Sequence, residues 1–91
     1  MITVLYFMTT GWDCPMCRGF SPHIKAVCKD MNVALEVYDI STTQGEPMGV
    51  RYNVCGLPTV IVLNDGEMVG RIDSGVTRQG VINLIRAARE D

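Results

Sequence analysis

Cys14-Pro15-Met16-Cys17 follows the apolar run Ile2–Met8 and opens a segment with helical periodicity. Two cysteines at this spacing, where a strand gives way to a helix, are typical of a redox dithiol. The spacing has a chemical reason, because an accessible thiolate must attack and a sulfur one helical turn away can then displace the mixed disulfide. We therefore predict that Cys14 attacks and that Cys17 resolves.

The start of the predicted helix favours a thiolate on Cys14. The first backbone N–H groups of a helix lack internal acceptors, and the helix dipole is positive at this end. Pro15 suits the first helical turn because its missing N–H would have no intrahelical partner. Met16 presents an adaptable apolar surface beside the sulfur.

The cysteine pair could instead be half of a structural zinc site, which needs four ligands. The remaining candidates are Cys28, Cys55 and His23, and none of them forms a second closely spaced pair. Redox chemistry is therefore the favoured interpretation, and we expect neither a metal nor a cofactor. Cys28 lies on an apolar helical stripe and is predicted to be a structural thiol. Cys55 either packs in a loop or forms a regulatory or intermolecular disulfide.

Length and composition predict one soluble domain spanning residues 1–91. The chain is 47% hydrophobic and 20% charged, with a formal net charge of −2, which fits a globular protein and argues against disorder. Its Lys and Arg residues are scattered singly, so the basic surface expected for nucleic-acid binding is missing. The N-terminal apolar run has no preceding basic segment, and no stretch approaches the ~18 apolar residues of a membrane span. We expect a cytoplasmic monomer with no nucleic-acid or membrane partner.

Hydrophobic periodicity predicts the order βαβαββα. The four predicted strands are Ile2–Met8, Ala34–Ile40, Thr59–Leu63 and Met68–Ile72. The three predicted helices are a long one from about Cys14, a short one within Ser41–Val54, and a closing one after the capping residue Thr77. Pro22 predicts a kink in the long helix. Asn64-Asp65-Gly66-Glu67 predicts a β-hairpin with a two-residue turn.

The cysteine pair, the proline in the following helix, the turn Gly56-Leu57-Pro58-Thr59 and the glycine-containing hairpin together resemble the thioredoxin superfamily. The likeness covers almost the whole chain and extends to Ser74-Gly75-Val76 before the last helix. It implies an α/β thioredoxin-like fold with a four-stranded mixed sheet flanked by helices. The chain lacks the extra first strand and helix of thioredoxin, so its size is similar to that of glutaredoxin.

The resemblance also implies a substrate groove. In the family, the proline that matches Pro58 is cis and lies against the dithiol, which leaves nearby backbone groups free to pair with an extended substrate segment. Trp12 adds an exposed aromatic contact surface beside the thiol. The predicted substrate-binding residues are Trp12, Pro15, Met16, Leu57, Pro58, Thr59, Gly75 and Val76. A tight turn and core packing are the alternative explanation for Leu57, Gly75 and Val76.

Several positions depart from thioredoxin. The buried acid that precedes its first cysteine corresponds here to Met8, and the lysine of its second strand corresponds to Val37. Where thioredoxin has a tryptophan directly before the first cysteine, this chain has Asp13. A carboxylate at that position opposes thiolate formation on Cys14, unless Arg18 offsets its charge.

The predicted function is a thiol–disulfide oxidoreductase that reduces disulfides in oxidised protein substrates. A thioredoxin reductase or a small thiol would recharge it. One alternative is a glutathione-dependent, glutaredoxin-like enzyme, because the Cys-Pro-x-Cys form looks like glutaredoxin. The segments around the proline turn and after the hairpin do not match the glutathione-binding pattern of that family. The other alternative is a non-catalytic binding module of the same fold.

Overall fold

The computed structural model describes residues 1–90 and shows a mixed sheet with helices on both faces. The elements in chain order are β1 (Ile2–Met8), α1 (Pro15–Asp30), β2 (Ala34–Asp39), α2 (Gly45–Arg51), β3 (Thr59–Asn64), β4 (Glu67–Ile72) and α3 (Arg78–Glu90). The predicted order βαβαββα and the four-stranded mixed sheet are confirmed. Asp91, the last residue of the predicted domain, lies outside the described residues.

Strand β1 lies inside the sheet, whose order is β2-β1-β3-β4. It pairs in parallel with β2 and antiparallel with β3, and β3 pairs antiparallel with β4. Its side chains alternate between two core clusters. Val4 and Tyr6 lie among residues of α1 and α3, whereas Leu5 and Phe7 lie with Met48 of α2. Burial on both faces explains why β1 is a continuous apolar run rather than an alternating one.

The hairpin between β3 and β4 forms as predicted. Its two turn residues, Asp65 and Gly66, have positive φ angles of 51° and 85°. This is the backbone that a two-residue turn of type I′ requires, and Asp-Gly is a favoured sequence for it. Helix α3 then packs closely on β4, since a Cβ atom on Gly70 would lie 2.6 Å from a methyl carbon of Leu84. Thr77 caps α3 by accepting the Gly80 N–H at 3.0 Å.

Helix α1 continues as one element through Pro22 and ends at Asp30. The kink predicted at Pro22 does not interrupt the helix. The buried face of α1 comprises Cys17, Ile24, Val27 and Cys28. No helix within residues 1–90 is both long enough and apolar enough to cross a membrane.

Candidate active site

Cys14 and Cys17 lie at the start of α1 and are joined by a disulfide, with their Cα atoms 5.3 Å apart. Cys14 is the N-cap residue, and its Sγ accepts a hydrogen bond from the backbone N–H of Cys17 at 3.3 Å. The Arg18 N–H donates to the Cys14 carbonyl at 3.1 Å and closes the first helical turn. In the reduced protein, the same N–H and the positive end of the helix would stabilise a thiolate on Cys14.

The two cysteines differ in access. Cys17 is completely buried, whereas Cys14 is half-buried. Cys14 lines a cavity of about 440 Å³ together with Met8 and Arg18. A second cavity of about 230 Å³, which we call the dithiol cleft, is lined by Trp12, Asp13, Cys14, Ile40, Val54, Cys55 and Leu57. A large partner can therefore approach Cys14 but not Cys17.

A buried tyrosine holds the helical turn that carries Cys17. The Tyr6 hydroxyl donates to the Cys17 carbonyl at 2.9 Å, and the Ser21 hydroxyl donates to the same oxygen at 2.7 Å. Burial raises the pKa of Tyr6, and the hydrogen bond with Ser21 partly opposes this rise, so the tyrosine remains a donor at neutral pH. Sequence reasoning missed this role. The available signal was a tyrosine at the middle of a largely apolar central strand.

Asp13 and Arg18 form an ion pair beside Cys14. Their side chains are 74% and 66% exposed, respectively. The guanidinium of Arg18 offsets the carboxylate that would otherwise oppose a thiolate on the neighbouring cysteine. Asp13 therefore does not act as an isolated negative charge beside Cys14.

The Leu57–Pro58 peptide bond is cis, and Pro58 is buried. Leu57 is half-buried in the wall of the dithiol cleft. Thr59 is completely buried, and its hydroxyl donates to the Gly56 carbonyl at 2.7 Å. The Thr59 side chain therefore holds the turn and is not available at the surface.

The other predicted groove residues differ in their surroundings. Trp12 and Met16 are 57% and 62% exposed, and Pro15 is also exposed. Gly75 is exposed with a positive φ of 64°, a backbone conformation that favours glycine. Val76 is half-buried and packs against the core cluster on the α1 and α3 side. A substrate role for this set of residues stays a prediction.

The polar helpers that thioredoxin places near its dithiol have no equivalent at the expected positions. Met8 brings an apolar side chain to the cavity beside Cys14. Val37 lies opposite Tyr6 in the sheet, whereas the β2 residue that pairs with Met8 is Asp39. The neighbour of Met8 on strand β2 is therefore Asp39, and Val37 lies two residues earlier on that strand.

The Asp39 carboxylate joins the loops that precede α1 and α2. It accepts hydrogen bonds from the backbone N–H of Thr10 at 3.1 Å and of Ser41 at 2.9 Å, and the hydroxyls of both residues also donate to it. These bonds, that of the Ser41 hydroxyl foremost, lower the pKa of Asp39 to about 2. Sequence reasoning did not single out Asp39, although an aspartate at a strand end with Ser41 and Thr42 two and three residues later is a typical turn signal.

The two remaining cysteines lie in different environments. Cys28 is buried in the core, and burial raises its pKa to about 11, as suits a structural thiol. Cys55 is an exposed free thiol in the wall of the dithiol cleft, and its Sγ donates weakly to the Asn53 carbonyl at 3.6 Å. Among residues 1–90, no group of three or more His, Cys, Asp or Glu side chains could hold a metal ion.

The family model for thioredoxin matches residues 2–87 of this chain. The chain belongs to the thioredoxin family. Thioredoxin C-2 of Corynebacterium nephridii is 25% identical over 75% of this chain and 62% of that relative. The chloroplastic thioredoxin M4 of Arabidopsis thaliana is 30% identical over 86% of this chain and 40% of that relative. The chain thus spans less than two thirds of the length of these two thioredoxins.

A solved thioredoxin has the same architecture. The structure of thioredoxin 1 from Thermosipho africanus matches with a TM-score of 0.84 and 25% identity, covering 97% of this chain and 94% of that one. Family membership and the disulfide between Cys14 and Cys17 support thiol–disulfide oxidoreductase chemistry. They favour this interpretation over a glutaredoxin-like enzyme or a non-catalytic module.

Proposed function

We propose that this thioredoxin-family protein is a thiol–disulfide oxidoreductase that reduces disulfides in other proteins through Cys14 and Cys17. One observation carries the proposal. The sulfur of Cys14 lies at the open end of a helix, where it accepts the Cys17 N–H, while Cys17 itself is buried one turn further along. The more accessible sulfur of Cys14 suits the attacking role, and the buried sulfur of Cys17 suits the resolving role.

The reaction has two exchange steps. In the reduced protein, the Cys14 thiolate attacks one sulfur of the substrate disulfide, forms a mixed disulfide and releases the other substrate sulfur as a thiolate. Cys17 then loses its proton and attacks the Cys14 sulfur, which releases the second substrate thiolate. The substrate gains two electrons and, after proton uptake, becomes a dithiol. The protein is left with the Cys14–Cys17 disulfide seen in the structure.

The substrate segment is proposed to lie across the dithiol cleft. The proposed contact residues are Trp12, Pro15, Met16, Leu57, Pro58, Gly75 and Val76, and the buried Thr59 is proposed to support them. Exposed side chains at Trp12 and Met16 support this placement. Within residues 1–90, neither backbone group of Leu57 is hydrogen-bonded to another part of the backbone, so both are free to pair with an extended segment. Thr59 would act through the shape of the turn.

Each catalytic cycle consumes two electrons, so an external reductant must reduce the disulfide again. A thioredoxin reductase or a small thiol is proposed for this step, and oxidised proteins are the proposed substrates. A reducing compartment such as the cytoplasm suits a dithiol that must be recharged. We propose that the protein works there as a monomer without a bound cofactor.

Two cysteine variants test the assignment. Cys14→Ser should abolish the reduction of insulin disulfides, because the attacking sulfur is lost. Cys17→Ser should accumulate a stable mixed disulfide with the substrate, which mass spectrometry detects on Cys14. Cys28→Ala serves as the control, since it removes a thiol outside the site and should retain activity. Full insulin reduction by the Cys14→Ser protein would contradict the proposal.

A further inference from the structure

A pocket of about 290 Å³ lies beside the dithiol cleft on the side of α2, and we call it the α2 pocket. Its lining residues are Ile40, Glu46, Gly49, Val50, Asn53 and Val54. Two of them, Ile40 and Val54, also line the dithiol cleft. Because the two cavities share these lining residues, the α2 pocket lies next to the dithiol cleft that Cys14 lines.

The inner surface of the α2 pocket is mainly apolar. Val50 is 75% exposed although it belongs to a helix, and Trp12 in the wall of the neighbouring dithiol cleft is also exposed. Gly49 keeps the pocket open beside Ile40, since a Cβ atom on Gly49 would lie 3.2 Å from a methyl carbon of Ile40. Exposed apolar side chains beside a cavity are typical of an interaction site.

The rim of the α2 pocket carries an unpaired negative charge. Glu46 lies in the first turn of α2 and is exposed. It takes part in none of the three ion pairs formed within residues 1–90, which are Met1–Asp65, Arg18–Asp13 and Arg71–Asp73. A cationic side chain of a partner would therefore meet Glu46 without competition from a cation already paired with it.

We propose that the α2 pocket selects among protein substrates. It binds an apolar side chain of the substrate segment that carries the disulfide, and Glu46 pairs with a Lys or Arg next to that side chain. The pocket has a volume of about 290 Å³, which is at the small end of the range for ligand sites and accommodates one apolar side chain. The two cavities are adjacent, so a segment whose disulfide meets Cys14 can bring a nearby side chain to the α2 pocket. The proposal rests on the proposed function.

The test uses peptides whose single cysteine is disulfide-linked to a quencher, so that reduction gives a fluorescence signal. In this series a Leu–Lys pair is moved along the peptide on either side of the cysteine, and Leu–Glu and Ser–Lys versions serve as comparisons. The reduced wild-type protein should cleave the best Leu–Lys peptide roughly two- to fivefold faster than its Leu–Glu version, because exposed ion pairs are weak. Its advantage over the Ser–Lys version should be roughly three- to tenfold.

Two variants should change these preferences in different ways. Glu46→Lys should reverse the order of the Leu–Lys and Leu–Glu peptides, and Val50→Asp should remove the preference for Leu over Ser. Each peptide rate is divided by the rate with the small disulfide DTNB, which corrects for changes in the dithiol itself. Glu67→Lys and Val37→Asp make the same changes at exposed positions away from the α2 pocket and the dithiol cleft and should keep the wild-type preferences.

Binding can be measured apart from catalysis by replacing the peptide cysteine with serine and following amide chemical shifts. Shift changes at Glu46 and Val50 that depend on Leu and Lys would support the α2 pocket. An unchanged ratio of Leu–Lys to Leu–Glu rates in the Glu46→Lys protein would overturn it. If neither peptides nor DTNB were reduced while these shifts still appeared, the proposed function would fail but the binding site would stand.

Discussion

The ion pair of Asp13 and Arg18 predicts opposite effects from two single substitutions beside Cys14. Asp13→Asn leaves Arg18 as an unpaired positive charge near the sulfur, which should favour the Cys14 thiolate. Arg18→Gln leaves Asp13 as an unpaired negative charge next to the sulfur, which should disfavour it. The double variant removes both charges and should resemble the wild type. Asp13→Asn keeps the size of the side chain, and Arg18→Gln keeps a polar but shorter side chain.

The size of the effect follows from the exposure of the pair. Both side chains are more than half exposed, so their charges act on the sulfur largely through water. A unit charge about 7 Å away in water moves a titration midpoint by about 0.4 pH unit, and a change of this size alters the thiolate fraction below the midpoint about 2.5-fold. The two single variants should thus differ from each other by about 0.8 pH unit at low salt.

The assay is the rate of Cys14 alkylation in the reduced protein as a function of pH. The midpoint should fall for Asp13→Asn, rise for Arg18→Gln and return towards the wild-type value in the double variant. Raising the ionic strength to 1 M should shrink both shifts, because the screening length then falls to about 3 Å. Shifts of the same sign in both single variants would refute the electrostatic argument, as would shifts that salt does not change.

Three further predictions concern the surroundings of the dithiol. Tyr6→Phe removes one of the two donors to the Cys17 carbonyl, so urea unfolding of the oxidised protein should show a loss of about 0.5–1.5 kcal/mol; an unchanged midpoint would contradict this. The pKa of Asp39 is lowered to about 2, so its contribution to stability is present above about pH 4 and is lost as the pH falls towards 2. Asp39→Asn should therefore weaken the dependence of the unfolding free energy on pH between about pH 4 and about pH 2. A curve parallel to that of the wild type would argue against the prediction. Arg71 donates to the Tyr52 carbonyl at 2.6 Å and pairs with Asp73, so Arg71→Ala should speed amide hydrogen exchange in residues 52–57; unchanged exchange there would count against this tether.

The elements that sequence reasoning predicted correctly are those set by local chemistry. The central strand is a continuous apolar run, the hairpin turn is an Asp-Gly pair, and the cysteines are spaced by one helical turn. Each of these signals lies within a few residues of the structure it specifies. The predicted strand ends therefore agree with the observed ones to within one residue: β1 matches at both ends, and β2 ends at Asp39 rather than at Ile40.

The features that were missed depend on contacts between distant segments. Asp39 meets Thr10 only because β1 and β2 pair in parallel in one register. On helix propensity alone, Gly45 counted against a helix. Yet α2 begins at Gly45, and only glycine fits there because a Cβ atom would lie 1.9 Å from the Asp39 carbonyl oxygen. The α2 pocket likewise exists only once α2 is seated beside β2. No local pattern in the sequence encodes such a placement.

Mass-spectrometric mapping of alkylation in the reduced protein tests most directly whether Cys14 is the attacking sulfur. A brief exposure to iodoacetamide at neutral pH should label Cys14 well ahead of Cys17, because one sulfur lies in an open cleft at the helix end and the other is completely buried. Labelling of Cys17 first, or of both cysteines at the same rate, would contradict the account.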